Sequence, residues 1–237
     1  MLFDPKYAAR VRGAEPLAEL GGRERELLRG VDPRALGTDD MRRARALRVI
    51  LDEYPVSAAL LGIEFVERFF SSAEFRACVF ERGSMALAFG GRYLRDRAKG
   101  VGVLETAMAR ARRRGRPRVA GVGCAVGLVP VRVPDGTLAW YQRARRRLGS
   151  EPLAALAKLR RPWANKPPRR GREHLLVEVQ GDGSLSIGTA SEGLVGLLIA
   201  ADPPRARGEL LGVAIELGAE VGEAEEVLDG LIGDGLL

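Results

Sequence analysis

Residues 174–189 read HLLVEVQGDGSLSIGT, and this stretch carries the clearest strand signal in the chain. Leu175, Val177 and Val179 alternate with other residues, which is the period of a half-buried strand. Residues 181–184 have the Gly, Asp and Ser composition of a tight turn, and the apolar alternation resumes after them. The stretch therefore predicts two strands that are joined by a turn.

Three short helices are predicted after these strands. Apolar residues recur every three or four positions in each of three segments. The first runs from Leu194 to Leu198, the second ends at Gly218, and the third runs from Val221 to Ile232. Strands followed by three helices predict a small winged-helix-like module over residues 173–237.

The N-terminal half predicts a different architecture. Apolar positions keep helical spacing through residues 38–115, where Tyr54-Pro55 ends one helix and begins the next. We therefore predict an α+β fold in which an all-helical domain, residues 1–118, precedes the winged-helix-like domain.

Residues 119–172 are predicted to link the two domains. Val131 to Val133 and Leu138 to Gln142 lie on either side of a Pro-Asp-Gly-Thr turn, a pattern that predicts a β-hairpin. Residues 144–172 are basic and contain prolines, which predicts a partly mobile connection.

Charge is distributed unevenly along the chain, which has a net charge of +7. Arginine runs such as Arg112 to Arg114 and Arg145 to Arg147 crowd the middle, and the part after Ser191 is acidic. A DNA-binding regulator that uses the arginine-rich middle is therefore the alternative interpretation. Against it, the predicted last helix, Glu220 to Ile232, has five acidic residues and no Lys or Arg, so phosphates would repel it.

The chain is poor in the side chains that catalysis needs. It has one histidine, His174, and two cysteines, Cys78 and Cys124, which we expect to be reduced and buried. We predict no catalytic residue, no metal ligand and no resident cofactor, although a hydrolase or transferase that uses His174 is a third interpretation. The N-terminus does not resemble a secretory signal, so a cytoplasmic location is expected.

Several motifs together carry a resemblance to a known family. They are Tyr54-Pro55, Leu60-Leu61-Gly62, Phe65, Phe69, residues 72–76, Leu175-Leu176-Val177, residues 193–198 and the closing residues 231–237. In this order they resemble the partner proteins of multinuclear non-haem iron-dependent oxidative enzymes, which serve the biosynthesis of ribosomally made, post-translationally modified peptides. The tail is similar to their C-terminal module, which is akin to a peptide-recognition element.

The resemblance implies that this chain is not an enzyme. It implies a heterodimer with an iron enzyme that holds the iron and oxidises cysteines in a precursor peptide, whose leader this chain binds and delivers. By position, the leader would be received at a strand edge beside a helix groove. The edge would be formed by Leu185, Ser186, Ile187, Gly188 and Thr189, and the groove by Val221, Ala224, Glu225 and Leu228. Each of these nine residues is equally interpreted as a core residue, and the core interpretation is favoured for Ile187 and Leu228.

Overall fold

The computed structural model describes residues 5–31, 39–95, 97–115, 120–164 and 166–237. Many short helices surround one three-stranded antiparallel sheet. The predicted α+β fold class is confirmed.

The described residues before the sheet are largely helical. The elements are α1 (Pro5–Arg12), α2 (Gly22–Arg29), α3 (Asp39–Glu53), α4 (Pro55–Leu61), α5 (Ile63–Phe69), α6 (Ala73–Phe80), α7 (Met85–Ala88), a π-helix (Phe89–Leu94) and α8 (Lys99–Ala111). As predicted, Pro55 begins a helix, where its missing N–H removes no helical bond. Ser72 begins α6, and its hydroxyl accepts a hydrogen bond from the Phe75 amide at 3.1 Å.

Aromatic side chains form the centre of this helical part. The Phe89 ring lies 5.0 Å from Tyr54 and 5.3 Å from Phe69 in edge-to-face geometry, and all three residues are fully buried. The Tyr54 hydroxyl donates to the Ala86 carbonyl at 2.7 Å. A Cβ at Gly90 would lie 2.3 Å from that hydroxyl oxygen, so glycine is required for the π-helix to pack this closely.

The sheet has the order β1 (Leu128–Val133), β2 (Glu173–Val179) and β3 (Leu185–Thr189). β2 and β3 are joined by the predicted turn, in which the Ser184 amide donates to Asp182 Oδ1 at 2.8 Å. Both predicted strands and their turn are confirmed.

Two hydrophobic cores lie on opposite faces of this sheet. The first core contains the helical part together with Val131 and Leu175. The second contains Leu128, with the half-buried Leu176 packed against it, and is completed by the C-terminal helices. These helices are α11 (Glu192–Ala200), α12 (Arg207–Glu216) and α13 (Val221–Gly233). The prediction of three helices after the strands is confirmed.

The predicted hairpin around residues 134–137 is wrong. Residues 138–142 lie within α9 (Thr137–Leu148), and β1 pairs with β2, where Val131 faces Leu175. The helix forms because Tyr141, Ala144 and Leu148 recur at helical spacing and are buried against the first core.

The predicted mobile connection over residues 144–172 is also wrong for its first part. It contains the end of α9 and all of α10 (Pro152–Ala157), where Leu156 is fully buried in the first core. The Arg147 guanidinium lies 4.7 Å from the centre of the Trp163 ring, and the Trp163 amide donates to the Ala59 carbonyl at 2.8 Å. This basic segment is therefore held against the helical part.

Candidate functional site

The hydrogen-bonding phase of β3 decides which main-chain groups are free. The Ala190 amide donates to the His174 carbonyl at 2.9 Å, and the Gln180 amide donates to the Ser184 carbonyl at 2.8 Å. Paired and unpaired residues alternate along an antiparallel strand. The main-chain groups of Ser186 and Gly188 therefore point toward β2.

The main-chain groups of Leu185, Ile187 and Thr189 point away from β2 by the same alternation. In the ranges that the structure describes, β3 pairs with β2 alone, and these outward groups make no hydrogen bond. Five consecutive residues thus present an unpaired strand edge that a further strand could join.

The side chains of this edge divide between a buried and an open face. Leu185 and Ile187 are half-buried and pack against the first core, as expected for the core interpretation of Ile187. Ser186 and Gly188 are exposed on the other face, and Thr189, at the end of the strand on the face of Ile187, is also exposed. The edge is therefore fixed on one face and accessible on the other.

The four predicted groove residues of α13 do not share one surface. Val221 is 74% exposed and Glu225 is also exposed. Ala224 and Leu228 are fully buried in the second core, which agrees with the core interpretation of Leu228.

An apolar cleft lies instead on the neighbouring face of α13. It has a volume of about 340 Å³ and is lined by all three C-terminal helices. Val227 and Leu231 of α13, Leu194 of α11 and Leu217 after α12 contribute to its wall. Ser191, two residues beyond β3, also lines the cleft, so one extended peptide could reach both features.

Our sequence reasoning missed this lining although a signal was present. Val227 and Leu231 are four residues apart and lie on one helical face, which is offset from the face that carries Ala224 and Leu228. Both faces are apolar, so sequence spacing alone did not show which face is buried in the second core and which lines the cleft.

Part of the arginine-rich middle forms ion pairs within the chain. Arg113 donates to Glu53 at 2.9 Å, Arg112 lies 3.6 Å from the same carboxylate, and Arg114 lies 3.1 Å from Asp202. The DNA-binding alternative depends on these three guanidinium groups and on Arg145 to Arg147, and the first three already form ion pairs with two carboxylates.

No described serine or cysteine forms a hydrogen bond with His174 Nε2. This nitrogen is buried, makes no hydrogen bond to any described group and lies 3.8 Å from the Glu192 carboxylate. Cys124 donates to the Leu198 carbonyl at 2.9 Å, and burial raises the pKa of its thiol to about 11. The thiolate form that would attack a substrate is therefore disfavoured at this cysteine.

Glu105 of α8 is fully buried, and our sequence reasoning did not single it out. Its carboxylate accepts hydrogen bonds from the Val56 and Ser57 amides, at 2.9 and 3.0 Å, at the start of α4. Burial raises its pKa to about 7, and these hydrogen bonds and the nearby Arg145 oppose the shift. The arrangement ties α8 to α4, which is a structural role.

The sequence matches no protein-family model and no curated protein. In the described part of the chain, no three His, Cys, Asp or Glu residues are grouped so that they could hold a metal ion. None of the described helices is both long enough and apolar enough to cross a membrane.

Proposed function

We propose that this chain is a non-catalytic subunit that binds the leader of a ribosomally made precursor peptide. It presents that peptide to a separate multinuclear iron oxidative enzyme, which modifies cysteine residues. The observation that carries this proposal is the unpaired edge of β3, which lies beside an apolar cleft.

The geometry supports binding by strand addition. A leader segment in extended conformation would pair with the outward amides and carbonyls of Leu185, Ile187 and Thr189, as a fourth strand of the sheet. Main-chain bonds of this kind supply affinity for many sequences. Selectivity then requires side-chain pockets, and the cleft at Leu194 and Leu231 has the apolar lining to accept one side chain.

A winged-helix-like module fits the same residues. The β2–β3 hairpin followed by α11, α12 and α13 has the predicted order of elements, and β1 adds the third strand from outside residues 173–237. In the proposed module, β3 and the helices that follow it form the peptide site.

The side chains support the proposed division of labour. The described residues offer hydrogen-bonding main chain and an apolar cleft, which are the components of a recognition surface. In the proposed heterodimer, the partner enzyme supplies the iron and the oxidative chemistry, and this chain supplies the affinity for the peptide.

Calorimetric titration with the precursor peptide encoded beside this gene tests the proposal. Thr189→Pro removes one outward amide without touching the bonds to β2, and we expect about tenfold weaker binding from the lost bond and the ring's bulk. Thr189→Ala keeps the amide and is the matched control, which should bind like the wild type.

Two results would contradict the proposal. One is the absence of any peptide binding together with full modification by the enzyme when this chain is left out. The other is equal loss of binding in the proline and alanine variants, because the threonine side chain rather than the strand edge would then bind the peptide.

A further inference from the structure

A second cleft lies on the helical part, and the residues that line it are distant in sequence from β3. It has a volume of about 300 Å³ and opens between the corner of α4 and α5 and the segment 159–162. Gly62 forms the corner with a φ of +86°, and a Cβ there would lie 3.2 Å from the Pro162 ring. The corner and the segment are therefore closely fitted.

The floor of this cleft is apolar and largely buried. Ala58, Ala59 and Leu156 are almost completely buried, and the Phe65 ring is part of the lining. The bond from the Trp163 amide to the Ala59 carbonyl fixes the segment beside this floor.

The rim of the cleft carries three arginines, Arg68, Arg160 and Arg161, which are all exposed. None of them lies within 4 Å of a carboxylate in the described residues. The Arg68 guanidinium lies 6.0 Å from the centre of the Phe65 ring, which places it over the apolar floor. Glu64 is the one acidic residue of the lining, so positive charge prevails.

This rim differs from the other arginine run of the helical part. Arg112 to Arg114 form ion pairs with Glu53 and Asp202, whereas the rim arginines have no such partners among the described residues. A carboxylate that reached the rim would gain charge-assisted hydrogen bonds from planar donors, which suit its geometry. An apolar side chain next to that carboxylate would be buried on the floor.

We propose that this cleft binds an acidic and apolar segment of a partner polypeptide, in which an Asp or Glu stands beside a large apolar residue. Its assignment as the docking point for the partner enzyme rests on the proposed function, which leaves the β3 edge to the precursor peptide. The cleft is at the lower end of the size range of small-molecule pockets, about 300–1,000 Å³, and matches a single anchoring side chain.

Three labelled peptides test the chemistry by fluorescence anisotropy. The probe is acetyl-Ser-Glu-Leu-Asp-Phe-Ser-amide carrying a fluorophore on an added lysine. The second peptide has Gln and Asn for Glu and Asp, and the third has Ser for Leu and Phe. We expect the probe to bind and both others to bind about tenfold or more weakly. Equal binding of all three would overturn the proposal.

Two double variants with the same change in net charge locate the site. Arg160→Gln with Arg161→Gln should weaken binding of the probe about tenfold. Arg143→Gln with Arg146→Gln, exposed on α9 outside the cleft, should leave it unchanged. Equal loss in both would overturn the proposal in favour of unspecific charge attraction.

Two further measurements test whether the cleft prefers a polypeptide to a small molecule and whether it is separate from the β3 edge. N-acetyl-phenylalanine carries a carboxylate and an aromatic ring, and displacement of the probe by it at the probe's own concentration would overturn a polypeptide site. Excess probe should leave binding of the precursor peptide unchanged, whereas competition would overturn a separate site. Failure of the precursor peptide to bind, together with full modification when this chain is left out and with the probe still bound, would reject the proposed function and retain this cleft.

Discussion

The two edges of the sheet differ in one respect that matters for binding. On β1 the outward positions are Leu128, Pro130 and Arg132, because the Val179 amide donates to the Gly127 carbonyl and sets the phase. The Leu128 amide donates to Ala125, and Pro130 has no amide hydrogen. On β3 all three outward residues keep an amide that is unpaired in the described structure.

A proline and a local bond thus leave Arg132 as the outward residue of β1 whose amide is unpaired in the described structure, so β1 offers fewer free amides than β3. Unpaired strand edges invite pairing with other chains, and proteins commonly blunt them with proline, charge or a cover. That β1 has such a block and β3 lacks one favours β3 as the edge that binds a peptide. The following predictions test this difference, from the largest expected effect to the smallest.

The central strand β2 is hydrogen-bonded to both edge strands, so we expect the largest loss of stability from a change at its buried residue Leu175. Leu175→Ala is expected to lower the free energy of unfolding by about 2–5 kcal/mol, because Leu175 is fully buried in the first core. Urea denaturation measures the loss, and Leu176→Ala, on the half-buried opposite face, should cost less. Equal losses would mean that the two faces are equally buried.

Glu105 should make the stability of the first core depend on pH. Glu105 lies on α8, and both α8 and β1 contribute residues to this core. Its pKa is raised from 4.5 to about 7 in the folded state. Its contribution is therefore fully present below pH 4.5 and is lost as pH rises through 7, a change of about 3 kcal/mol.

Glu105→Gln should remove this part of the pH dependence, which urea denaturation between pH 5 and 8 would measure against the wild type. Hydrogen exchange should show faster exchange of β1 amides as pH rises, after correction for intrinsic rates. An identical pH dependence in both proteins would contradict the assignment to Glu105.

The inward and outward positions of β3 should respond differently to proline. Ser186→Pro removes an amide that pairs with β2, and we expect a loss of about 1–3 kcal/mol in stability. Thr189→Pro, at an outward position, should cost clearly less in the same urea titration. The reverse order would show that the phase of the strand is misassigned.

Restoring an amide to the blocked edge should have the smallest effect. Pro130→Thr adds an outward N–H to β1, and its effect on stability is expected to stay within about 0.5 kcal/mol. Calorimetry should still give one precursor peptide per chain. Binding of a second peptide would show that Pro130 alone had kept β1 from acting like β3.

The C-terminal part was predictable because its signals are local. Alternation at Leu175 and Val177 and the glycine turn specify the hairpin within a few residues. The pairing of β1 with β2 joins residues that are forty to fifty positions apart, and no local pattern within β1 indicates which strand it pairs with. For α9, the helical spacing of Tyr141, Ala144 and Leu148 was overlooked in favour of a short alternating run.

The candidate site was predictable to the same extent. The position of β3 after the turn indicated an edge strand, and the structure shows one. The wall of the cleft depends on how α13 is rotated against α11 and α12, and with two apolar faces the sequence leaves that rotation open. The cleft at Arg160 depends on contacts between segments distant in the chain, which no local pattern indicates.

Because a single sheet is shared by both cores, the proposed peptide site cannot be transferred to another protein as a short segment. A fragment that starts at residue 173 would lose the strand beside β2 and would uncover Leu175 and Val177 to water. The smallest fragment that could be transferred has to include β1 and a substitute for the helices beneath it, which sets a lower bound for engineering the proposed recognition surface into another protein.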